Sequence, residues 1–205
     1  MMLRDAVESD IKDIVSVHQR AFDGFFLTKL GPLFLTELYR SFGFRQGGVL
    51  RVLCNEEGHI VGFAAGALEP ASFFHDLKKE RALAFLWRAS PGLLRNPVLV
   101  VKKLWYAAFY KGEEPTKLVG AALLSSIAVS PDMMGKSLGK KLLLDYEDVA
   151  RDRGVSALFL TTDKNGNDDV VSFYLNTGYS IESRFVQADG REMLRFIKIL
   201  GEKNE

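Results

Sequence analysis

The chain has 205 residues, 47% hydrophobic and 26% charged, with a formal net charge of +1. That length suits a single domain of the usual size, roughly 100–200 residues, with ample apolar content for a core. The near-neutral balance excludes a broadly basic nucleic-acid binder, so no nucleic-acid partner is expected. One cysteine excludes an internal disulfide and a thiolate metal cluster. His18, His59 and His75 lack metal-ligand spacing, so no metal is expected. The first fifteen residues include Asp5 and Glu8 and no apolar leader core, and no uncharged run approaches the ~18–20 residues of a bilayer span. A soluble, cytoplasmic protein is the expectation.

In chain order, Leu3–Val7 reads as a short strand. Glu8-Ser9-Asp10 supplies a cap with acids near a helix start, and Ile11, Ile14, Val15, His18 and Phe22 follow at helical spacing. Phe25-Phe26-Leu27 leads through Gly31-Pro32 into a second helix over Leu33–Phe42. Gly47-Gly48 breaks it, and Val49–Cys54 and Ile60–Leu68 read as a hairpin around Asn55-Glu56-Glu57-Gly58. Residues 71–118 read as a helical insert divided at Ser90-Pro91-Gly92, with Asn96-Pro97 opening its second helix. Leu118–Val129 is a predicted buried strand and Ser130–Gly139 a glycine-containing loop. Lys140–Arg153 is a helix whose Leu142, Leu143, Tyr146 and Ala150 face inward. Ala157–Thr162 is a strand, Asp168–Asn176 a helix, and Ser180–Gln187 and Glu192–Leu200 a hairpin around Ala188-Asp189-Gly190. This order predicts a single α/β domain over residues 1–205, with one mixed sheet and helices on both faces.

The stretch that bears chemistry runs from 125 to 150. A buried strand ends at Val129, glycines follow at 135 and 139, and an amphipathic helix begins at once. Unpaired N–H groups at a helix start, with glycines that let the main chain approach a ligand, suit a pyrophosphate. Lys136, Lys140 and Lys141 add positive charge. Gly135-Lys136-Ser137 looks like the end of a Walker A loop, but position 130 is Ser where that motif needs glycine, and GxGxxG is absent.

Ile127-Ala128-Val129 followed by Pro131-Asp132-Met133-Met134-Gly135-Lys136-Ser137-Leu138-Gly139-Lys140 resembles the coenzyme A pyrophosphate loop of the GNAT superfamily of acyl-CoA-dependent N-acyltransferases. Met134 stands where the family has Gln or Arg, and Ser137 where it has Gly, so Ser137 must tolerate the geometry that glycine supplies. Its hydroxyl is a further donor. Asn167-Asp168-Asp169-Val170-Val171-Ser172-Phe173-Tyr174, closing on Gly178-Tyr179, is similar to a second segment of the same family. The resemblance implies a mainly antiparallel sheet and acetyl-CoA as cosubstrate. It implies Ile127, Ala128 and Val129 along the pantetheine arm, residues 134–140 around the pyrophosphate, Asn167 on the arm, and Tyr174 as the acid that protonates the leaving thiolate.

No carboxylate lies in Leu123-Leu124-Ser125-Ser126, where many relatives carry a glutamate base. Glu69, read at the mouth of the site, is the expected base, with His75, His18 and a water chain as other options. Cys54 reads as a buried strand residue. The acceptor, a small primary amine with an amino sugar as one class, is expected beside Phe22, Phe25, Phe26, Phe73 and Phe74. Phe25 to Gly31 loosely resembles members of surface-polysaccharide pathways. Residues 71–112 hold eight Lys and Arg against two acids, a net of +6, leaving −5 for the rest of the chain. Interleaved with Trp87, Trp105, Tyr106 and Phe109, this stretch leaves three readings open: a lid over an anionic acceptor, a peripheral membrane or homodimer surface through 75–110, or a plain helical pair. The alternative to an enzyme is a non-catalytic module of this fold that binds an acyl-CoA or a protein.

Overall fold

The computed structural model describes residues 1–95, 120–187 and 190–201. In chain order these form β1 (Met2–Asp5), a single 3-10 turn (Glu8–Asp10), α1 (Ile11–Ala21), α2 (Phe26–Lys29), α3 (Pro32–Phe44), β2 (Gly48–Cys54), β3 (Ile60–Ala67) and α4 (Pro70–Arg95). Then come β4 (Ala122–Val129), a second 3-10 turn (Pro131–Met133), α5 (Leu138–Asp152), β5 (Ala157–Asp163), α6 (Asp168–Asn176), β6 (Ser180–Val186) and β7 (Glu192–Ile199).

The seven strands lie in the order β1-β2-β3-β4-β5-β7-β6. All neighbours are antiparallel except β4 and β5, which run parallel because α5 carries the chain back across the sheet between them. Alternation along β2 sends Leu50, Val52 and Cys54 into one core and Val49 and Leu53 into the other. The first core packs Ile14 of α1 and Leu35, Tyr39 and Phe42 of α3 on Phe63 and Ala65 of β3. The second packs Leu142, Leu143, Tyr146 and Ala150 of α5 on Leu158, Leu160 and Phe196. Helices thus cover both faces of a mainly antiparallel sheet.

Three local expectations change. Asp10 occupies the cap position of α1, but its carboxylate turns backward, accepting the Val7 N–H at 2.8 Å and both Arg4 nitrogens at 2.5 and 2.9 Å. β4 starts at Ala122, after Gly120 in the left-handed region at φ +90°. Ser90-Pro91-Gly92 does not divide the insert, since α4 is one helix of 26 residues that carries its main chain through Pro91. A helix tolerates one proline as a local kink when the bonds on either side persist. The base of α4 is tied down by buried Glu37 of α3, which accepts hydrogen bonds from Arg81 at 2.8 Å and pairs with Arg88 at 3.3 Å. The second insert helix from Asn96-Pro97, with Lys102, Lys103, Trp105, Tyr106 and Phe109, lies outside the described residues, as does the hairpin tip at 188–189. Among the described residues no helix is long and apolar enough to cross a membrane.

Candidate active site

The site begins with a failure of pairing. β4 and β5 are joined only at Ala122–Leu158 and Leu123–Phe159, and from Leu124 onward they diverge. A bulge helps to set the divergence. Ala65 of β3 faces Ser126 and Gly66 faces Leu124, which leaves Ser125 as the extra residue. Position 66 has to be glycine, because a Cβ there would run into the Leu123 carbonyl oxygen and the Tyr146 hydroxyl. That space lets Tyr146 Oη of α5 donate to the Leu123 carbonyl at 2.9 Å, fixing α5 over the point where the strands part.

A cavity of about 780 Å³ fills the gap, walled by residues 124–129 of β4 and 160–163 of β5. The loop after β4 and the start of α5 form one side; Asn167, Phe173 and Tyr174 form another; His18, Phe22, Phe25 and Phe26 close the acceptor end expected from the sequence. Of the predicted cosubstrate residues, Ile127, Ala128, Val129, Met134, Gly135, Ser137, Leu138, Gly139, Lys140, Asn167 and Tyr174 all line it. Lys136 does not: its exposed ammonium lies 3.8 Å from the Met133 sulfur.

The loop is built from strained and capped main chain. Ser130 N–H donates to Val61 O at 2.7 Å, holding the strand end, and Gly135 takes φ +78°. Ser137, immediately before α5, sits at φ +55°, a left-handed conformation that a side chain disfavours. The first N–H groups of α5 follow directly, without a side-chain cap on them. Asn167 precedes α6, and its amide nitrogen donates to Thr162 Oγ1 at 2.7 Å and to Asp163 O at 2.9 Å. Both donors are therefore spent, and the amide oxygen is what Asn167 can offer a ligand. Tyr174 is 6% exposed, packed between Phe173, Tyr179 and Phe196 with ring centroids 5.2–5.5 Å apart. Burial pushes its phenol well above the ordinary value, so it stays protonated.

The expected base is elsewhere. Glu69 is exposed just beyond the end of β3 and accepts from Ser72 Oγ at 3.3 Å. β3 runs antiparallel to β4, so its last residue, Ala67, lies beside Leu123 near the start of β4, while the loop follows the other end. Glu69 therefore does not stand at the mouth of the cavity. His75 is exposed on α4, and Phe73 and Phe74 belong to the first core rather than to the lining. His18 does line the cavity, buried, with Nδ1 2.5 Å from Tyr39 Oη. Thr161, Thr162, Asp163 and Arg191 also line it, and no motif or spacing points to them. Arg191 donates to both Asp163 oxygens at 2.9 and 3.1 Å, a cross-strand pairing that only the β5–β7 alignment reveals.

A family model described as the Acetyltransferase (GNAT) family matches residues 11–179, most of the chain. The chain belongs to that family. Solved structures agree on the fold. The ribosomal-protein-S18-alanine N-acetyltransferase of Escherichia coli is 15% identical with a TM-score of 0.61, covering 100% of this chain and 96% of its own. The ribosomal-protein-alanine N-acetyltransferase of Brucella melitensis is 18% identical with a TM-score of 0.64, covering 98% and 100%. Chaetomium thermophilum Naa20 in complex with a bisubstrate analogue is 15% identical with a TM-score of 0.60, covering 98% and 87%. No curated protein sequence matches. As a GNAT acetyltransferase, the protein is an acetyl-CoA-dependent N-acyltransferase, with acetyl-CoA as cosubstrate and an amine as acceptor.

Proposed function

We propose that the protein moves an acetyl group from acetyl-CoA to the primary amine of a small acceptor, by direct attack within a ternary complex. The observation that carries this reading is the splay of β4 from β5, which opens onto the glycine loop and the uncapped start of α5. The residues there suit the cosubstrate. Main-chain N–H groups from Gly135 to Lys140 fit a pyrophosphate, the unpaired edge of Ile127, Ala128 and Val129 fits the pantetheine amides, and the Asn167 oxygen can accept one of their N–H groups. Acetyl-CoA supplies the activated thioester.

The amine lone pair forms the C–N bond to the carbonyl carbon, and a β4 main-chain N–H stabilises the oxyanion. As the C–S bond breaks, its electron pair stays on sulfur, which takes the phenolic proton of Tyr174. The nitrogen releases one proton to water in the cavity, and the phenolate recovers one from the same water. Burial of Tyr174 keeps that proton in place before the reaction. We assign the reaction to the cytoplasm, where acetyl-CoA is available, and take amino sugars as the first acceptor class to try, on the likeness carried by Phe25 to Gly31.

The test is free-thiol release from acetyl-CoA with glucosamine, glucosamine 6-phosphate, spermidine, alanine and phenethylamine. Tyr174→Phe should lower kcat roughly a hundredfold and leave the acetyl-CoA Kd within about twofold; equal loss of both would make Tyr174 a packing residue. A protein that binds acetyl-CoA by calorimetry yet releases no thiol with any amine is a binding module instead.

A further inference from the structure

His18 occupies the last turn of α1 and is 2% exposed, yet its ring borders the cavity. One nitrogen is accounted for: Nδ1 lies 2.5 Å from Tyr39 Oη. The other is not. Nε2 is buried with no hydrogen-bond partner. Aromatic rings pack around the imidazole, with centroids at 4.8 Å for Phe22, 5.6 Å for Tyr39 and 6.4 Å for Phe63. A buried polar atom left unpaired is costly and calls for an explanation, and the cavity is where a partner can come from. Burial also lowers the His18 pKa to about 4, so the ring is neutral near pH 7.

We propose that His18 Nε2 is the acceptor-binding contact of the enzyme, accepting an N–H of the primary amine and aiming the nitrogen lone pair at the thioester. The proposal rests on the acetyltransferase reading above. It fixes the tautomer: Nδ1–H donates to Tyr39 Oη, and Nε2 keeps its lone pair. Phe22 and Phe25, which pack 5.6 Å apart beside His18, are themselves partly exposed, so a ligand reaches Nε2 by turning side chains. Their apolar surface disfavours an ammonium ion and selects the neutral amine, the only form that can attack.

The variants separate binding from scaffolding. His18→Asn keeps a polar group near Nδ1 for Tyr39 and deletes Nε2. It should raise KM for the amine tenfold or more, with kcat changed less and the acetyl-CoA Kd within twofold. His18→Gln restores an acceptor atom near Nε2 and should recover part of the loss. The probes are glucosamine and phenethylamine at saturating acetyl-CoA, with the rest of the panel in reserve. An unchanged amine KM in His18→Asn that still binds acetyl-CoA overturns the proposal. Long-range 15N spectra of the wild-type protein need no variant: they should show the Nδ1–H tautomer, with Nε2 shifting when phenethylamine is added with coenzyme A. An Nε2–H tautomer, or no shift at saturation, also overturns it. If the wild type turns over none of the five amines, the acetyltransfer reading itself fails, an outcome distinct from normal turnover by His18→Asn.

Discussion

The α5 side of the cavity and the α1 side use different materials. Along α5 the proposed cosubstrate site offers main chain: a loop with Gly135 and Ser137 in left-handed conformations, and helix N–H groups without side-chain caps. Beneath it one charge of α5 is buried, where Glu147 takes Lys198 of β7 at 2.6 Å and Lys198 also donates to Thr177 O at 2.9 Å. Along α1 the cavity is lined by side chains, three phenylalanines and a neutral imidazole beside Tyr39. A main-chain site survives sequence change as long as the conformation does, which on the proposed reading would let Met134 and Ser137 replace the residues usual in the family. A side-chain site changes its ligand with every substitution, so one fold can keep its cosubstrate and vary its acceptor.

The largest expected effect comes from breaking the α5 side at its ion pair. Lys198→Met leaves the Glu147 carboxylate, 2% exposed, without its partner. Unfolding in urea at pH 7 should show a loss of about 3–5 kcal/mol. Glu147→Leu combined with Lys198→Met should recover most of it, because a buried pair replaced by apolar groups is often neutral. Failure of the double variant to recover would mean that the pair sets the angle between α5 and α6 as well as neutralising charge.

The α1 side has a different weakness, which is pH. His18 binds a proton near pH 6.5 in the unfolded chain, but its folded pKa is lowered to about 4. Between those values the unfolded state holds more protons. Stability from this group is therefore complete above pH 6.5 and is lost as pH falls toward 4, by about 3 kcal/mol in all. Unfolding free energies from urea titrations at pH 7 and 4.5 should differ by about 2 kcal/mol less for His18→Asn than for the wild type, whereas loop variants on the α5 side should keep the full wild-type pH dependence. Equal slopes for wild type and His18→Asn would show that the ring is hydrated in solution.

Sequence periodicity revealed what is local. The inward face of α5 and the bounds of α6 follow from apolar spacing, and each was readable because it depends on neighbours within a few turns. What depends on register was hidden. Glu69 reads as a mouth residue from its place at a strand end, but strand direction puts that end beside the start of β4. The bulge at Ser125 and the need for Gly66 arise from contacts with β3 and α5 that no single segment encodes. His18 is visible as a histidine on an apolar helix face, while the partner that gives it a role, Tyr39, comes from α3.

The smallest effect gives the sharpest test of the contrast between the two sides. Ser137 is the one non-glycine residue with positive φ among the described residues, at +55°. Holding a side chain there costs about 1–2 kcal/mol, and glycine removes that cost while adding about 0.5–1 kcal/mol of unfolded-chain entropy. Ser137→Gly should therefore stabilise the protein by up to about 1 kcal/mol in urea unfolding. Calorimetry should find its acetyl-CoA Kd unchanged within about twofold, since the proposed contacts are main-chain N–H groups. A tenfold weaker Kd in a stabilised variant would make the Ser137 hydroxyl a phosphate ligand. The α5 side would then also depend on a particular side chain, and the tolerance of the cosubstrate end would have to come from α5 alone.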